Sequence, residues 1–198
     1  MTKRPLDEIT PGMNKPRLIL ICGRPGSGKS TLAKNLAKEI RAVLIDKDCV
    51  DEAFSPNDRG PLYQATIQPA AYQTLLNLAI PNLELGHTVI LDAPWTHNFF
   101  YYPDLGPRVL NLAKKSGSQL FVFEIELPAE EVKVRLQKRG FKRDEPKLTE
   151  EGWEEFVTRH RIGEKNPLPH IAIDGRLSAE ECLKTALGVI LSEREGSR

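Results

Sequence analysis

The feature that most constrains this chain is the segment Gly23-Arg24-Pro25-Gly26-Ser27-Gly28-Lys29-Ser30, which fits G-x-x-x-x-G-K-[ST] at every fixed position. A short apolar run at 17–22 precedes it, and residues 29–41 follow with aliphatic side chains at helical spacing. Glycines let a backbone bend around an anion, and the N-terminal end of the following helix faces the same anion. The segment therefore predicts a strand, a loop and a helix that bind the phosphates of a nucleotide.

Individual positions of this loop have separate predicted roles. Lys29 is expected to reach the β- and γ-phosphates, and the Ser30 hydroxyl is expected to coordinate Mg²⁺. The other positions assigned to nucleotide binding form the loop and the start of the helix; they are Gly23, Arg24, Pro25, Gly26, Ser27, Gly28 and Thr31. The predicted cofactors are accordingly ATP and Mg²⁺.

Apolar runs and helical patterns alternate along the rest of the chain. The predicted strands cover 17–22, 42–46, 88–92, 120–126 and 170–173. The predicted helices cover 29–41, 69–85, 104–116, 128–139, 150–160 and 178–192, the last opened by a capping box of Ser178 and Glu181. Such alternation predicts an α/β fold with a five-stranded parallel sheet and right-handed crossovers. We expect one domain over 16–198 and a flexible tail over 1–15.

Composition limits the classes of partner. The 198 residues carry 28 Lys+Arg and 27 Asp+Glu, a net charge of +1, which disfavours a protein that coats nucleic acid or binds acidic membranes. Three scattered cysteines indicate a reducing compartment without a disulfide framework. Residues 1–16 lack the apolar segment of a signal peptide, and no run approaches the roughly 20 apolar residues of a membrane span. We therefore expect a cytoplasmic protein without membrane contact.

Acidic residues end two of the predicted strands. Asp46 and Asp48 follow the second strand, where a carboxylate can act as general base toward an incoming hydroxyl; capping of the next turn is the alternative. Asp92 ends the third strand and is predicted to help hold the metal beside Ser30, with a plain strand-end aspartate as the alternative.

Arginines cluster near a highly charged segment at 139–148 that we interpret as a lid. Arg135 and Arg139 are four residues apart and share one helix face, and Arg143 follows. Such arginines can close over phosphates and stabilise charge during transfer. The alternative is a solvated helix face paired with Glu130 and Glu131.

Together these segments resemble the P-loop small-molecule kinases, AAA-type ATPase-like proteins that include zeta toxin, polynucleotide kinase, gluconate kinase and chloramphenicol phosphotransferase. The resemblance spans about 17–190 and implies a nucleoside-monophosphate-kinase-like fold. It implies that the general base lies three residues after the last aliphatic position of the second strand, which is Asp48 when counted from Ile45. It also implies that the lid arginines are Arg135, Arg139 and Arg143.

Aromatic residues follow Asp92, in the region where related kinases contact the acceptor. Trp95 and the run 99–102 either stack on a ligand or pack in the core or in a dimer interface. Asp58 and Arg59 are further candidates for acceptor contact, with ordinary turn chemistry as the alternative.

The predicted function is an ATP-dependent kinase that transfers the γ-phosphate to a hydroxyl of a small-molecule acceptor. A polynucleotide 5′-hydroxyl kinase uses the same machinery and is the second reading, although no basic entry channel is evident. A nucleotide-dependent ATPase or switch without an acceptor is the third. A GTPase is disfavoured because the sequence lacks an N-K-x-D guanine motif. Neither the acceptor nor the oligomeric state follows from the sequence.

Overall fold

The computed structural model describes residues 15–54 and 60–195, apart from the side chains at positions 142, 143 and 193–195. The predicted tail, except for Lys15, lies outside the described residues, as do Asp58 and Arg59.

Five parallel strands form one sheet, as the sequence predicts. They are β1 (Arg17–Gly23), β2 (Val43–Asp46), β3 (Val89–Asp92), β4 (Gln119–Glu126) and β5 (Ile171–Asp174), in the order β2-β3-β1-β4-β5. β1 is central and buried along its whole length, which explains its nearly continuous apolar sequence. The predicted α/β class is confirmed.

Eight α-helices connect and cover the strands of the described chain. They are α1 (Lys29–Ile40), α2 (Lys47–Phe54), α3 (Gln68–Glu84), α4 (Trp95–Tyr101), α5 (Leu105–Lys115), α6 (Ala129–Arg139), α7 (Glu150–Arg159) and α8 (Ala179–Glu195). A π-helical turn at Tyr63–Ile67 precedes α3, and a 3-10 helix at Lys142–Leu148 lies between α6 and α7. Within 15–54 and 60–195 no helix is long and apolar enough to cross a membrane.

Two apolar layers pack on the two faces of the sheet. Alternate residues of β1 point to opposite faces, so Leu18 and Leu20 join a cluster with α3, α4 and α5. Ile19 and Ile21 join a second cluster with α1 and α8. A third, smaller cluster around Leu136 joins α6, α7 and the 3-10 helix. The strand ends are thereby held rigidly at the edge where the phosphate loop begins.

Helix α2 and helix α4 are the main differences from the sequence prediction. Each is short, eight and seven residues, and each begins within three residues of a strand end. The Asp46 carboxylate accepts a hydrogen bond from the Asp48 backbone N–H at 2.9 Å, which starts α2 immediately after β2. The predicted capping box of Ser178 and Glu181 is confirmed by its hydrogen bonds, and the Thr149 hydroxyl caps α7 by accepting the Gly152 N–H.

Candidate active site

The phosphate loop connects β1 to α1 through glycines that need unusual backbone angles. Gly26 and Gly28 have φ values of 83° and 103°, in a region that side chains strongly disfavour. A Cβ at Gly23 would lie 2.5 Å from the Ser27 Oγ, so the loop closes tightly on itself. The first backbone N–H groups of α1 have no acceptor within the helix by geometry, and they are available to an anion.

Lys29, Ser30 and Asp92 meet at the mouth of this loop. The Lys29 Nζ lies 4.0 Å from Asp92 Oδ1 and donates a hydrogen bond to the Ser30 Oγ at 3.5 Å. β1 and β3 are adjacent, and Ile21 pairs with Asp92 in the register, which places the carboxylate directly beside the loop. Asp92 therefore lies beside Lys29 and the phosphate loop, while its role in metal binding stays a prediction.

Asp92 is a buried carboxylate with little compensation from the protein. Its side chain is 1% exposed, and within the described chain neither oxygen has a hydrogen-bond partner. Burial raises the pKa of Asp92, whereas the nearby Lys29 ammonium and the Ser30 hydroxyl lower it. A buried carboxylate with two open oxygens fits a hard cation, which prefers oxygen ligands.

Magnesium sites commonly use one or two protein oxygens and complete their shell with water and phosphate. Asp92 and the Ser30 hydroxyl supply such a pair here. Among the described residues no group of three or more His, Cys, Asp or Glu side chains is arranged to hold a metal. The residues present thus fit a Mg²⁺ ion bound together with a nucleotide better than a metal held by protein alone.

The structure separates Asp46 from Asp48. Asp46 is the last residue of β2, pairs with Asp92 in the register and uses one oxygen to cap α2. Asp48 lies in the first turn of α2 and is partly exposed. Capping, the alternative considered from the sequence, thus applies to Asp46, while the role of Asp48 as general base stays a prediction.

Lys47 lies between these two aspartates but points into the interior. Its ammonium is buried, donates hydrogen bonds to Asp51 at 2.7 Å and to the Tyr63 hydroxyl at 2.8 Å, and sits 5.1 Å from the Tyr72 ring centroid. The Tyr63 hydroxyl in turn donates to Asp51 at 2.7 Å. This cluster fixes α2 against the π-helical turn and α3, and thereby fixes the position of Asp48.

The predicted lid arginines make different contacts. Arg135 donates hydrogen bonds to the backbone carbonyls of Ser27 at 3.2 Å and Gly175 at 2.7 Å, so it joins the phosphate loop to the turn after β5. Arg139 binds the fully buried Asp144, to which Lys147 also donates at 2.6 Å. The side chain of Arg143 lies outside the described residues.

The alternative partners for the lid arginines, Glu130 and Glu131, are not the ones found in the described chain. Asp144, which the sequence analysis did not single out, takes that place. Asp144 lies between Arg143 and Glu145 in a highly charged segment. Such a segment is typical of exposed residues, so the sequence does not indicate that Asp144 is buried. Only its spacing from Lys147, three residues apart, points to a local ion pair.

Arg24 does not direct its guanidinium to the loop. It donates hydrogen bonds to the carbonyls of His160, Arg161 and Glu164, just beyond the end of α7. Its NH1 lies 3.9 Å from the buried Glu124, whose carboxylate accepts hydrogen bonds from Thr96 and Asn166.

This buried network also escaped the sequence analysis, because its members come from four distant segments. Burial raises the pKa of Glu124, while the hydrogen bonds from Thr96 and Asn166 and the charge of Arg24 oppose that rise.

The aromatic residues after Asp92 divide between core and surface. Trp95 and Phe99 are buried and stack with ring centroids 5.9 Å apart, so core packing, one of the two readings, accounts for them. Tyr101 is 54% exposed and borders an open cavity of about 780 Å³ between the segment 60–64 and α7. Three glutamates of α7, Glu151, Glu154 and Glu155, line the same cavity.

This loop, the buried aspartate beside it and the strand order define a P-loop protein with the architecture of small kinases. The profile of the AAA_33 family, described as an AAA domain, matches residues 18–161, and the chain belongs to this family.

Curated relatives are similar over a shorter stretch. An uncharacterized protein of Mycobacterium tuberculosis (strain H37Rv) is 39% identical over 89 residues, which cover 40% of this chain. An uncharacterized protein of Mycobacterium bovis matches with the same identity over the same length. The match spans only 18% of each relative.

Solved kinase structures share the fold. A protein of Chloroflexus aurantiacus with a provisional kinase assignment has a TM-score of 0.68 at 19% identity, over 88% of this chain and 98% of its own. The APS kinase of Mycobacterium tuberculosis, solved with AMPPNP and APS, has a TM-score of 0.61 at 16% identity, over 89% and 98%. A gluconokinase of Sinorhizobium meliloti has a TM-score of 0.58 at 13% identity, over 92% and 95%.

Proposed function

We propose that this protein is an ATP-dependent phosphotransferase that moves the γ-phosphate of ATP to a hydroxyl of a small-molecule acceptor. The proposal rests on one observation: Lys29, Ser30 and Asp92 lie close together at the mouth of the phosphate loop, and Asp92 is buried with no hydrogen bond to either oxygen in the described chain. Phosphoryl transfer depends mainly on positioning and on stabilisation of charge, and these groups supply both. The kinase structures that share the fold support the same class.

Each residue has a role in this proposal. The loop backbone and Lys29 bind the phosphates, Ser30 and Asp92 hold Mg²⁺, and Asp48 accepts the proton of the acceptor hydroxyl. Mg²⁺ would neutralise charge on the phosphate oxygens when bound. Arg135 holds the phosphate loop in position through its hydrogen bond to the Ser27 carbonyl. Arg139 and Arg143, in the lid, stabilise the charge on the transferred phosphate.

A small acceptor is favoured over a polynucleotide by the charges near the cavity. Glu151, Glu154 and Glu155 line its α7 side beside Arg159 and make no ion pair in the described structure, so the excess of negative charge on this wall disfavours a polyphosphate chain. A polynucleotide kinase needs the opposite sign of charge along its entry channel.

ATP turnover with and without a panel of hydroxylated metabolites tests the proposal. Phosphorylated product should appear for at least one acceptor, whereas turnover that no acceptor stimulates would favour the switch or ATPase reading. Turnover of an oligonucleotide 5′-hydroxyl that weakens steeply with added salt would favour the polynucleotide kinase.

Lys29→Ala should abolish nearly all transfer, and it should also lower the unfolding temperature because it leaves the buried Asp92 without its nearby cation, so transfer is measured well below that temperature. Kinetics and calorimetry on the same sample measure both quantities. Transfer at the wild-type rate in this variant contradicts the mechanism. Lys34→Ala, in the same helix but on its exposed face, serves as the matched control.

Asp48→Asn should reduce kcat strongly, by the roughly 10²–10⁴-fold that general base catalysis contributes, and leave ATP affinity unchanged. Asp46→Asn should instead loosen the start of α2, because an amide oxygen still accepts the Asp48 N–H but carries no charge. If Asp46→Asn loses transfer and Asp48→Asn keeps it, the base is Asp46.

A further inference from the structure

Arg24 occupies a variable position of the phosphate loop, yet its side chain belongs to a different part of the molecule. Its backbone carbonyl accepts a hydrogen bond from the Ser27 N–H at 3.1 Å, so the main chain of Arg24 is part of the loop turn. The residue is 9% exposed, and its guanidinium donates hydrogen bonds to the carbonyls of His160, Arg161 and Glu164. The residue therefore joins two segments that lie about 140 positions apart in the chain.

The acceptors of Arg24 are suited to a cation. The last carbonyls of a helix have no N–H partner within it, and they carry the negative end of the helix dipole. His160 is the C-cap of α7, and Arg161 and Glu164 lie in the turn that follows it. A guanidinium presents several donors in a fixed fork, so one side chain bonds the carbonyls of all three residues. Burial lowers the pKa of Arg24. The Glu124 carboxylate, 3.9 Å from the guanidinium, opposes this effect and balances the positive charge.

The segment held by Arg24 also contacts α4. The rings of His97 and His160 lie 4.4 Å apart, and the Arg161 guanidinium stacks on Phe100 at 4.5 Å. The Tyr101 hydroxyl donates to the Arg159 carbonyl at 3.3 Å. Residues 159–164 thus connect the phosphate loop, α7 and α4. Helices α7 and α4 both border the cavity that Tyr101 lines.

We propose that Arg24 is a positioning residue that ties the phosphate loop to the end of α7 and to α4. Nucleotide binding in the loop is then transmitted to the end of α7 and to α4, which both border the open cavity at Tyr101. A role of that cavity in acceptor binding would rest on the proposed function, whereas the link from the loop to α7 does not. Arg24 touches neither reacting group, and it acts through the backbone carbonyls that it holds.

Trp153 provides a reporter for this link. It lies in α7, stacks on Phe156 at 5.2 Å, and Phe156 packs on His160 at 4.3 Å. The chain has two tryptophans, so a Trp95→Phe background leaves Trp153 as the only one. Addition of ATP with Mg²⁺ should change its fluorescence, and calorimetry measures ATP affinity independently on the same protein.

In this background Arg24→Gln is compared with the parent at saturating ATP, with its own Kd determined by calorimetry, because the main chain of Arg24 belongs to the phosphate loop. The fluorescence change of Trp153 should fall by about fivefold or more. Arg24→Lys should give an intermediate response, because an ammonium keeps the charge but not the fork. Arg108→Gln serves as the matched control, since Arg108 pairs with Asp104 on the surface of α5 and should leave the response intact.

If Arg24→Gln does not fold because Glu124 is left buried without its partner, the Arg24→Gln/Glu124→Gln double variant removes both charges and should show the same loss. A full response in the folded variant overturns the inference. So does a loss of ATP affinity as large as that of Lys29→Ala, because Arg24 would then be a nucleotide ligand.

A parent whose Trp153 stays silent while ATP binds also overturns the link. A parent that does not bind ATP overturns both the link and the proposed function. A parent that binds ATP and moves Trp153, but phosphorylates no acceptor, contradicts the proposed transfer alone.

Discussion

At the scale of single residues, the site is defined by charges that the fold leaves incompletely matched. Asp92 is buried beside Lys29 at 4.0 Å, a distance longer than a hydrogen bond, and its oxygens receive no donor in the described chain. Burial of a carboxylate without hydrogen bonds costs free energy, which a bound cation would return. Asp92 therefore lowers the stability of the folded protein, and it is suited to binding a cation.

Asp92→Asn should be at least as stable as the wild type without Mg²⁺, because the amide removes a buried charge. It should lose most of the rise in unfolding temperature that Mg²⁺ with ATP produces, since a ligand stabilises only in proportion to its affinity. Thermal unfolding across a Mg²⁺ titration measures this. An unchanged Mg²⁺-dependent rise would remove Asp92 from the metal site, and Asp104→Asn on the surface is the control.

The sequence predicts Lys29 and Ser30 because motif spacing fixes them locally, and it places Asp92 because strand ends of a parallel sheet share one edge. It does not reveal where the Arg24 side chain goes. Its partners at 160–164 come together with the loop only after the whole sheet has formed. Local pattern carries information about backbone geometry, but not about such long-range hydrogen bonds.

At the scale of elements, α2 is a short helix held by one buried polar cluster. Eight residues are too few for a stable isolated helix, so tertiary contacts must hold it. The ammonium of Lys47 and the carboxylate of Asp51 are 3% and 0% exposed, and Tyr63 binds both. The local sequence pattern does not predict α2, because the Tyr63 side chain that stabilises it belongs to another segment.

Asp51→Asn should lower the free energy of unfolding by about 3 kcal/mol, because it leaves the Lys47 ammonium buried without a carboxylate. Urea denaturation measures the change. The Lys47→Met/Asp51→Leu/Tyr63→Phe triple variant should recover most of it, since it removes both buried charges and the hydroxyl that bonds them. Lys34→Met on the exposed face of α1 is the control, and a loss of equal size there would contradict this account.

At the scale of the whole molecule, buried histidines couple folding to pH. His97 is 6% exposed, and burial, assisted by nearby cations such as Arg24 and Lys47, lowers its pKa from 6.5 to about 3. Burial also lowers the pKa of His160, the ring next to it. Between these pH values the unfolded chain binds a proton that folded His97 does not, so stability falls as the pH decreases.

His97→Gln should flatten this dependence by up to about 1.4 kcal/mol per pH unit between pH 6 and 4. Burial raises the pKa values of Asp92 and Glu124, so these two groups increase the stability as the pH decreases. The slope of stability against pH in each variant is therefore compared with the slope in the wild type. Chemical denaturation at a series of pH values measures the slopes. His87→Gln, at an exposed site, should keep the wild-type slope, and an unchanged slope in His97→Gln contradicts the assignment.

The central place of β1 also determines the order in which the chain can assemble. β1 is made before its sheet partners in β3 and β4, which lie about 70 and 100 residues later. A ribosome therefore releases this apolar strand before either neighbour can pair with it. Until β3 and β4 follow, the nascent chain carries an apolar strand with unpaired edges, which favours aggregation.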